Sequence, residues 1–240
     1  MTVWGLQHND WIAPENLQQE RFIICASWKV LGEDEVDSVS ILDNRKLFKS
    51  DPHNDKHVVE TLHKMLSAAD VIIHHNGNSY DLKFTETRML FHGLPPLPPI
   101  QKIDTLLVAK HRFMFNSNKL DYLAKFLGLG EKIQTDYKLW LRVLQGDKSA
   151  IEEMVVYNKH DVKLLEEVYL KLRPYINDHP HAQLFEPGER LDCPRCGSKH
   201  TKKNGYHSAN TRIYQRYYCL DCKGPFRDNK SSSGVPTRVL

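Results

Sequence analysis

The 240-residue sequence has no apolar run approaching the length of a membrane span, and its N-terminus lacks the basic-then-apolar pattern of a signal peptide. No membrane partner is expected, and the expected compartment is the cytoplasm. The chain has no internal repeat, no Gly-rich loop of the kind that cradles nucleotide phosphates, and no convincing nucleophile–base pair. Cysteine is scarce: of five, four fall in two CxxC pairs, and Cys25 sits alone in an apolar stretch where it reads as an inert core thiol. In a chain of this length without a signal, paired cysteines favour metal binding over disulfides.

What is present suits one moderate domain with a small appendage. Hydrophobic residues at 40% and charged residues at 26% allow an ordinary core. The net charge of +3 hides an asymmetry: residues 185–240 hold 11 Lys/Arg against 5 Asp/Glu, a local balance of +6, which leaves −3 for the rest. A basic module on a slightly acidic body points to a polyanionic partner at one end, with a merely solvated surface as the alternative.

Residues 21–31 and 36–42 read as paired strands around the turn Gly32-Glu33-Asp34-Glu35. The stretch between 42 and 56 reads as a polar loop. Apolar spacing predicts helices over 56–67, 82–92, 104–111, 119–127, 137–145 and 148–172, with a buried strand over 71–74. The proline run at 93–99 is a loop. This order predicts an α/β class, a mixed sheet flanked by helices. Residues 177–189 read as a linker, 190–230 as the appendage and 231–240 as a disordered tail.

The appendage holds Cys193-Pro-Arg-Cys196-Gly and Cys219-Leu-Asp-Cys222-Lys-Gly. Two thiolates three positions apart share one tetrahedral ion, two such turns complete its ligands, and the glycines after each pair allow the turns. Zinc is the expected ion, structural because no coordination position stays open. It would supply most of the folding free energy, roughly 10–16 kcal/mol in zinc peptides. His200 and His207 are alternative ligands for which no position is left. Lys199, Lys202, Lys203, Arg212, Arg216, Lys223 and Arg227 alternate with Tyr206, Tyr214, Tyr217 and Tyr218, a mixture suited to phosphate contact and base stacking. A protein-binding ribbon is the alternative. The pattern CPRCGS…KKNGY…RYYCLDCKGPF resembles the zinc ribbons of transposases and other DNA-transacting proteins.

In the larger domain, His75-Asn76-Gly77-Asn78-Ser79-Tyr80-Asp81 follows the strand at 71–74, and Tyr157-Asn158-Lys159-His160-Asp161 lies within the last helix, with Tyr157 and Asp161 on one face. These segments resemble the second and third motifs, Asn-x-x-x-(Phe/Tyr)-Asp and Tyr-x-x-x-Asp, of the DEDD or DnaQ-like 3′–5′ exonucleases, whose fold is ribonuclease H-like. IDTLLVAK and NKLDYLAKFLGLGEK between them also look typical of phage and bacterial members. The likeness spans residues 3–176 and thus a domain of 1–176. It implies two-metal hydrolysis of phosphodiesters by Mg²⁺ or Mn²⁺, single-stranded DNA ends being the expected substrate. It makes Asp81 and Asp161 metal ligands, Tyr157 the residue that orients the attacking water, and Asn76 a substrate or loop residue. By the same reasoning Lys202, Lys203, Arg212 and Arg216 of the ribbon hold substrate. Surface or capping carboxylates are the alternative for Asp81 and Asp161, and core packing for Tyr157. His74 and His75 are metal-adjacent or structural. Asp104 reads as a helix cap, with a place near the site as the alternative.

The first motif of that family, Asp-x-Glu on a central strand, is absent; it would precede a segment like Val3-Trp4-Gly5-Leu6. Asp10 and Glu15 do not follow an apolar strand and are not expected to replace it. Three readings stay open: an upstream segment belongs to the working protein, a separate peptide adds the strand to an open sheet edge, or the chain binds nucleic acid without cutting it. A scaffold whose ribbon recruits a replication or recombination protein is a further alternative.

Overall fold

A computed structural model describes residues 19–133, 135–185, 188–189 and 191–236. Val3–Leu6, Asp10 and Glu15 lie outside them. The chain begins with β1 (Cys25–Trp28) and β2 (Asp37–Ser40), then α1 (Arg45–Ser50) and α2 (Lys56–Ser67). Next come β3 (Val71–His74), α3 (Asp81–Phe91), β4 (Gln101–Asp104), α4 (Thr105–Arg112), α5 (Leu120–Phe126) and α6 (Tyr137–Leu144). The body ends in α7 (Lys148–Leu172), and β5 (Thr201–Ser208), β6 (Arg212–Cys219) and β7 (Pro225–Gly234) follow.

The class is mixed α/β, as expected. β1 and β2 pair antiparallel from Cys25↔Ser40 to Trp28↔Asp37, and β3 and β4 pair parallel from Val71↔Gln101 to His74↔Asp104. Helix α3 is the crossover that a parallel pair demands. Among the described residues these are two separate two-stranded sheets; no described strand bonds to both. Every residue of β1 and of β3 is only half-buried.

The strand expected over 21–31 is shorter because its ends are diverted. The Ile23 N–H goes to Asp55 Oδ2 at 2.8 Å, and the far end turns at Gly32, whose φ of +90° suits glycine. Residues 45–50, read as loop, form α1, too short to show a period; Asn44 Oδ1 caps it and Phe48 buries it. Strand β4 escaped notice because QKID holds one apolar residue after the prolines.

Helix α7 is the spine, about 37 Å long at 1.5 Å per residue over its 25 residues. Ala150, Ile151 and Met154 in its first half join β1, β2, α2, α3 and α6 in one core; Leu164, Val168 and Leu172 join α4 and α5 in another. Glu166 accepts the Gly32 N–H at 3.0 Å and pairs with Lys29, which ties the β1 turn to α7.

Asp55 ahead of α2 is fully buried and receives Arg88 Nε and Nη2 at 2.7 Å each and His92 Nε2 at 2.7 Å. Burial alone would raise its pKa; the bonds from Arg88, His92 and Ile23 outweigh it and hold the carboxyl below its ordinary range.

The segment after α7 is fastened. Tyr169 Oη meets His179 Nε2 at 2.7 Å, the Ala182 N–H donates to Pro194 O at 2.7 Å, and Arg195 Nε donates to Ile176 O at 2.8 Å. Residues 231–234, expected in a disordered tail, instead complete β7. Ser231, Ser233 and Gly234 stand opposite Tyr214, Ile213 and Arg212, and backbone pairing rather than apolar burial holds them.

Candidate functional site and metal centre

The loop from β3 to α3 is braced from below. Asn76 adopts a left-handed φ of 67°, which asparagine tolerates, and its N–H donates to Asp104 Oδ1 at 2.9 Å. The Gly77 N–H donates to His74 Nδ1 at 3.1 Å, and a Cβ on Gly77 would lie 2.7 Å from His74 Cγ, so the position needs glycine. Asp104 is buried and also caps α4 through the Leu106 N–H at 3.0 Å. Asp104 therefore caps a helix, as expected, and also holds the Asn76 loop.

His75 places Nδ1 2.9 Å from the Thr105 hydroxyl and Nε2 3.0 Å from Asn118 O, so both ring nitrogens are engaged. His74 lies 3.6 Å from Asp104 Oδ2. Burial pushes both imidazoles below their ordinary pKa despite the Asp104 charge.

Asp81 is the first residue of α3 and stays exposed. The protein mass around its carboxyl nevertheless raises its pKa; Asp104 adds to the rise, while His74 and Lys132 oppose it. On α7, Tyr157 and Asp161 share a face and meet one cation: Lys132 Nζ is 2.5 Å from Asp161 Oδ2 and 3.3 Å from Tyr157 Oη. Burial would lower the Lys132 pKa, but the Asp161 contact outweighs it and raises it. Burial and the Asp161 charge raise the Tyr157 phenol, against Lys132. Asp161 Oδ1 is buried with no hydrogen-bond partner among the described residues.

Lys132 thus ties Tyr157 and Asp161 together. Sequence reasoning missed it because it lies between α5 and α6, where no periodicity marks it. Its loop is fixed by the Lys132 N–H to Asp121 Oδ1 at 3.0 Å and by His160 Nε2 to Glu131 O at 2.8 Å.

Among the described residues, only the four paired cysteines form a group of three or more His, Cys, Asp or Glu close enough to hold one ion. Asp81 and Asp161 are not in such a group. Among the described residues these two carboxylates do not by themselves complete a site for Mg²⁺ or Mn²⁺.

The cysteines do fit zinc. Cys193, Cys196, Cys219 and Cys222 place their sulfurs within 4.8 Å of one another, with Cys193–Cys222 at 3.6 Å and Cys196–Cys219 at 3.7 Å. Zn–S bonds of about 2.3 Å in a tetrahedron put sulfurs about 3.8 Å apart, whereas a disulfide needs about 2.05 Å. In the first knuckle Gly197 takes φ +69° and its N–H donates to Cys193 O at 2.9 Å. In the second the left-handed residue is Lys223 at φ 62°, not the glycine expected there. Gly224 is closely packed instead: a Cβ would meet Arg195 Nη1 at 3.1 Å and Cys222 Sγ at 3.3 Å. His200 pairs with Asp221 at 3.2 Å and His207 lies against Tyr214, so neither belongs to the thiol cluster.

The β5–β6–β7 sheet sorts the basic and aromatic residues by face. Directly opposed residues share a face, and Lys202↔Tyr218, His207↔Tyr214 and Arg216↔Arg227 align on the face that also has Arg212. Lys202 Nζ lies 5.8 Å from the Tyr218 ring centre, and Arg227 lies 4.1 Å from that of Tyr214. Lys203 pairs with Tyr217 on the opposite face. Tyr217 is buried and stacked on Phe226 at 5.4 Å, so it offers no ring to a ligand. Arg216 Nε donates to Asn204 O at the β5 bulge, 3.1 Å away. Of the four ribbon residues expected to hold substrate, Lys202, Arg212 and Arg216 share one face and Lys203 lies on the other.

No helix among the described residues is long and apolar enough to cross a membrane. No curated protein matches this chain. Residues 177–230 match the model of the PaaD zinc beta ribbon domain, to which the appendage is similar. Residues 30–173 match the model of the RNase_H superfamily; the span runs from the β1 turn through α7 and takes in the Asn76 loop, Asp81, Lys132, Tyr157 and Asp161, and the chain belongs to that superfamily.

Proposed function

We propose that this protein is a metal-dependent 3′–5′ exonuclease acting on nucleic acid, DNA before RNA, with the ribbon holding the strand. The observation that supports this most is the contact of one cation, Lys132, with both Tyr157 and Asp161, the two residues of the Tyr-x-x-x-Asp segment on one face of α7. In this reading Asp81 and Asp161 would supply two of the ligands to divalent metal, Tyr157 would orient a water, and Asn76 would position the loop against substrate. Two-metal hydrolysis needs further ligands.

The test uses labelled single strands blocked at the 3′ or the 5′ end, with manganese. Mononucleotide release from free 3′ ends, abolished by Asp81→Asn and by Asp161→Asn, is the expected result. Digestion from 5′ ends only, or none, overturns the reading.

A second reading, a binding protein that does not cut, is favoured by the incomplete carboxylate set beside a basic–aromatic ribbon face. It expects salt-sensitive strand binding unaffected by Asp81→Ala and Asp161→Ala. A ribbon that instead recruits a replication or recombination protein would bind no strand.

A further inference from the structure

A cleft of about 260 Å³ opens between β4, α4 and the residues that follow α7. Its floor is apolar, from Leu107, Val108 and the buried Ile176. Lys102, His111 and Arg112 bring basic side chains to its rim, all exposed. Arg112 is already set in place: Nε donates to Tyr175 O at 2.8 Å and Nη2 to Asn177 Oδ1 at 2.7 Å. Guanidinium has five N–H donors, so these bonds fix its plane and leave the other terminal nitrogen's donors for a ligand.

Two carboxylates also line the cleft, and they differ. The Asp104 side chain is 3% exposed and turned to Asn76, Leu106 and His74, so its oxygens are already engaged with protein groups. Asp178 is exposed at the rim, an acceptor suited to a sugar hydroxyl.

The position matters as much as the lining. The cleft's lining includes Asn78, of the loop that carries Asp81, and Ile176, whose carbonyl accepts from ribbon residue Arg195. Beside Arg112, Tyr175 is 54% exposed, edge-on to Phe113 at 5.1 Å, and offers a ring for stacking.

We propose that this cleft binds a nucleoside phosphate: base on the Leu107–Val108–Ile176 floor, phosphate between Lys102, His111 and Arg112. Its volume lies just below the usual range of ligand pockets, roughly 300–1,000 Å³, which suits one nucleotide and not a dinucleotide cofactor. The inference rests on the reading above that the chain acts on nucleic acid, and it assigns one nucleotide of the strand a seat between the Asp81 loop and the ribbon.

The zinc-loaded full chain is titrated calorimetrically with deoxythymidine monophosphate, with a thymidine pentanucleotide and with inorganic phosphate. Hydrogen exchange of residues 101–112 and 176–178 is followed alongside. Two variants are compared: Lys102→Ala with His111→Ala, which removes charge at exposed positions, and Leu107→Trp, which fills the floor from a side chain already 39% exposed. The expected result is at least tenfold weaker binding of a nucleotide probe in both variants, with protection at those residues in the unaltered chain. Loss for the monophosphate means the cleft takes free nucleotides; loss for the pentanucleotide alone means it takes a unit of a strand. Affinities within twofold of the unaltered chain for both probes, or inorganic phosphate binding as tightly as the monophosphate, overturn the proposal. A chain that seats nucleotide here yet digests no strand refutes the nuclease reading alone. Digestion with unchanged binding in both variants refutes the cleft alone.

Discussion

Lys132 Nζ stands 2.5 Å from Asp161 Oδ2, although 29 residues separate them and no regular element contains the lysine. The same ammonium lowers the Tyr157 phenol's pKa while burial and Asp161 raise it further. Replacing the lysine removes the opposing charge, so Lys132→Met shifts Tyr157 ionisation to higher pH. Asp161→Asn removes a raising charge and shifts it down. Carbon-13 labelling of the tyrosine ring carbon that bears the hydroxyl follows the titration. Shifts of the same sign in the two variants would show that the three groups do not interact as described.

Gly77 is a purely steric requirement, since a methyl there would press 2.7 Å from His74 Cγ. Gly77→Ala must push the imidazole off Asp104 or bend the loop. Overpacking of this kind costs about 1–3 kcal/mol. A fall in the urea midpoint of that size, with exchange quickened at residues 74–81, is the expected outcome; an unchanged midpoint would mean that the loop yields freely.

Much of this was legible in the sequence, for physical reasons that differ by element. Residues 56–67, 71–74 and 148–172 are read to the residue, because α2 has a strongly one-sided apolar face, β3 is a short apolar run, and α7 starts at Asp147 and ends before Pro174. The cysteines were legible because four ligands in two tight turns need nothing but local spacing. Lys132, Asp55 and Arg88 were not. Each earns its place by a partner far along the chain, and a charged residue in a loop or on a weakly amphipathic helix gives no local sign of one. The two faces of the ribbon were hidden as well, because the β5 bulge between Lys203 and Tyr206 changes which residues share a side.

Thiol chemistry separates the zinc centre from the remaining cysteine. Burial pushes the Cys25 thiol up to about 12, so it stays protonated and unreactive at neutral pH. With zinc bound, a disulfide reagent should find few reactive thiols. After chelation the four ribbon cysteines should react and the fifth only on adding denaturant. Loss of metal should also loosen β5–β7, whose apolar cluster is little more than those cysteines and Phe226. Five thiols reacting at once on chelation would mean that the larger domain unfolds with the ribbon.

Asp55 should dominate the acid limb of stability. Breaking a buried pair by Asp55→Ala leaves Arg88 without its carboxylate and costs about 3–5 kcal/mol. The folded pKa lies below the ordinary 3.8, so the folded state binds fewer protons than the unfolded chain in that interval. Its stabilisation is therefore complete above 3.8 and is lost as pH falls through the lower folded value. The gap in urea midpoint between the unaltered chain and Asp55→Asn should be widest near neutrality and narrow below 3.8. A gap independent of pH would show that charge at Asp55 is not what holds α2, α3 and β1 together.

The ribbon separates stacking from packing at adjacent residues. Tyr218 lies on the face with Lys202 and Arg227, whereas Tyr217 is 7% exposed against Phe226. If the face takes single strands, Tyr218→Ala removes a platform worth about 1–3 kcal/mol per base. Tyr217→Phe keeps the buried ring and leaves affinity unchanged. Lys202→Ala removes one phosphate contact, which lowers the salt slope of log K by about 0.7 for a single strand. Lys203→Ala, on the opposite face, should alter that slope less. Fluorescence anisotropy with a labelled oligonucleotide across a salt series reads all four variants. Equal losses for Lys202→Ala and Lys203→Ala would mean that the strand sees the ribbon's net charge and not this face, and its aromatic residues would then be packing alone.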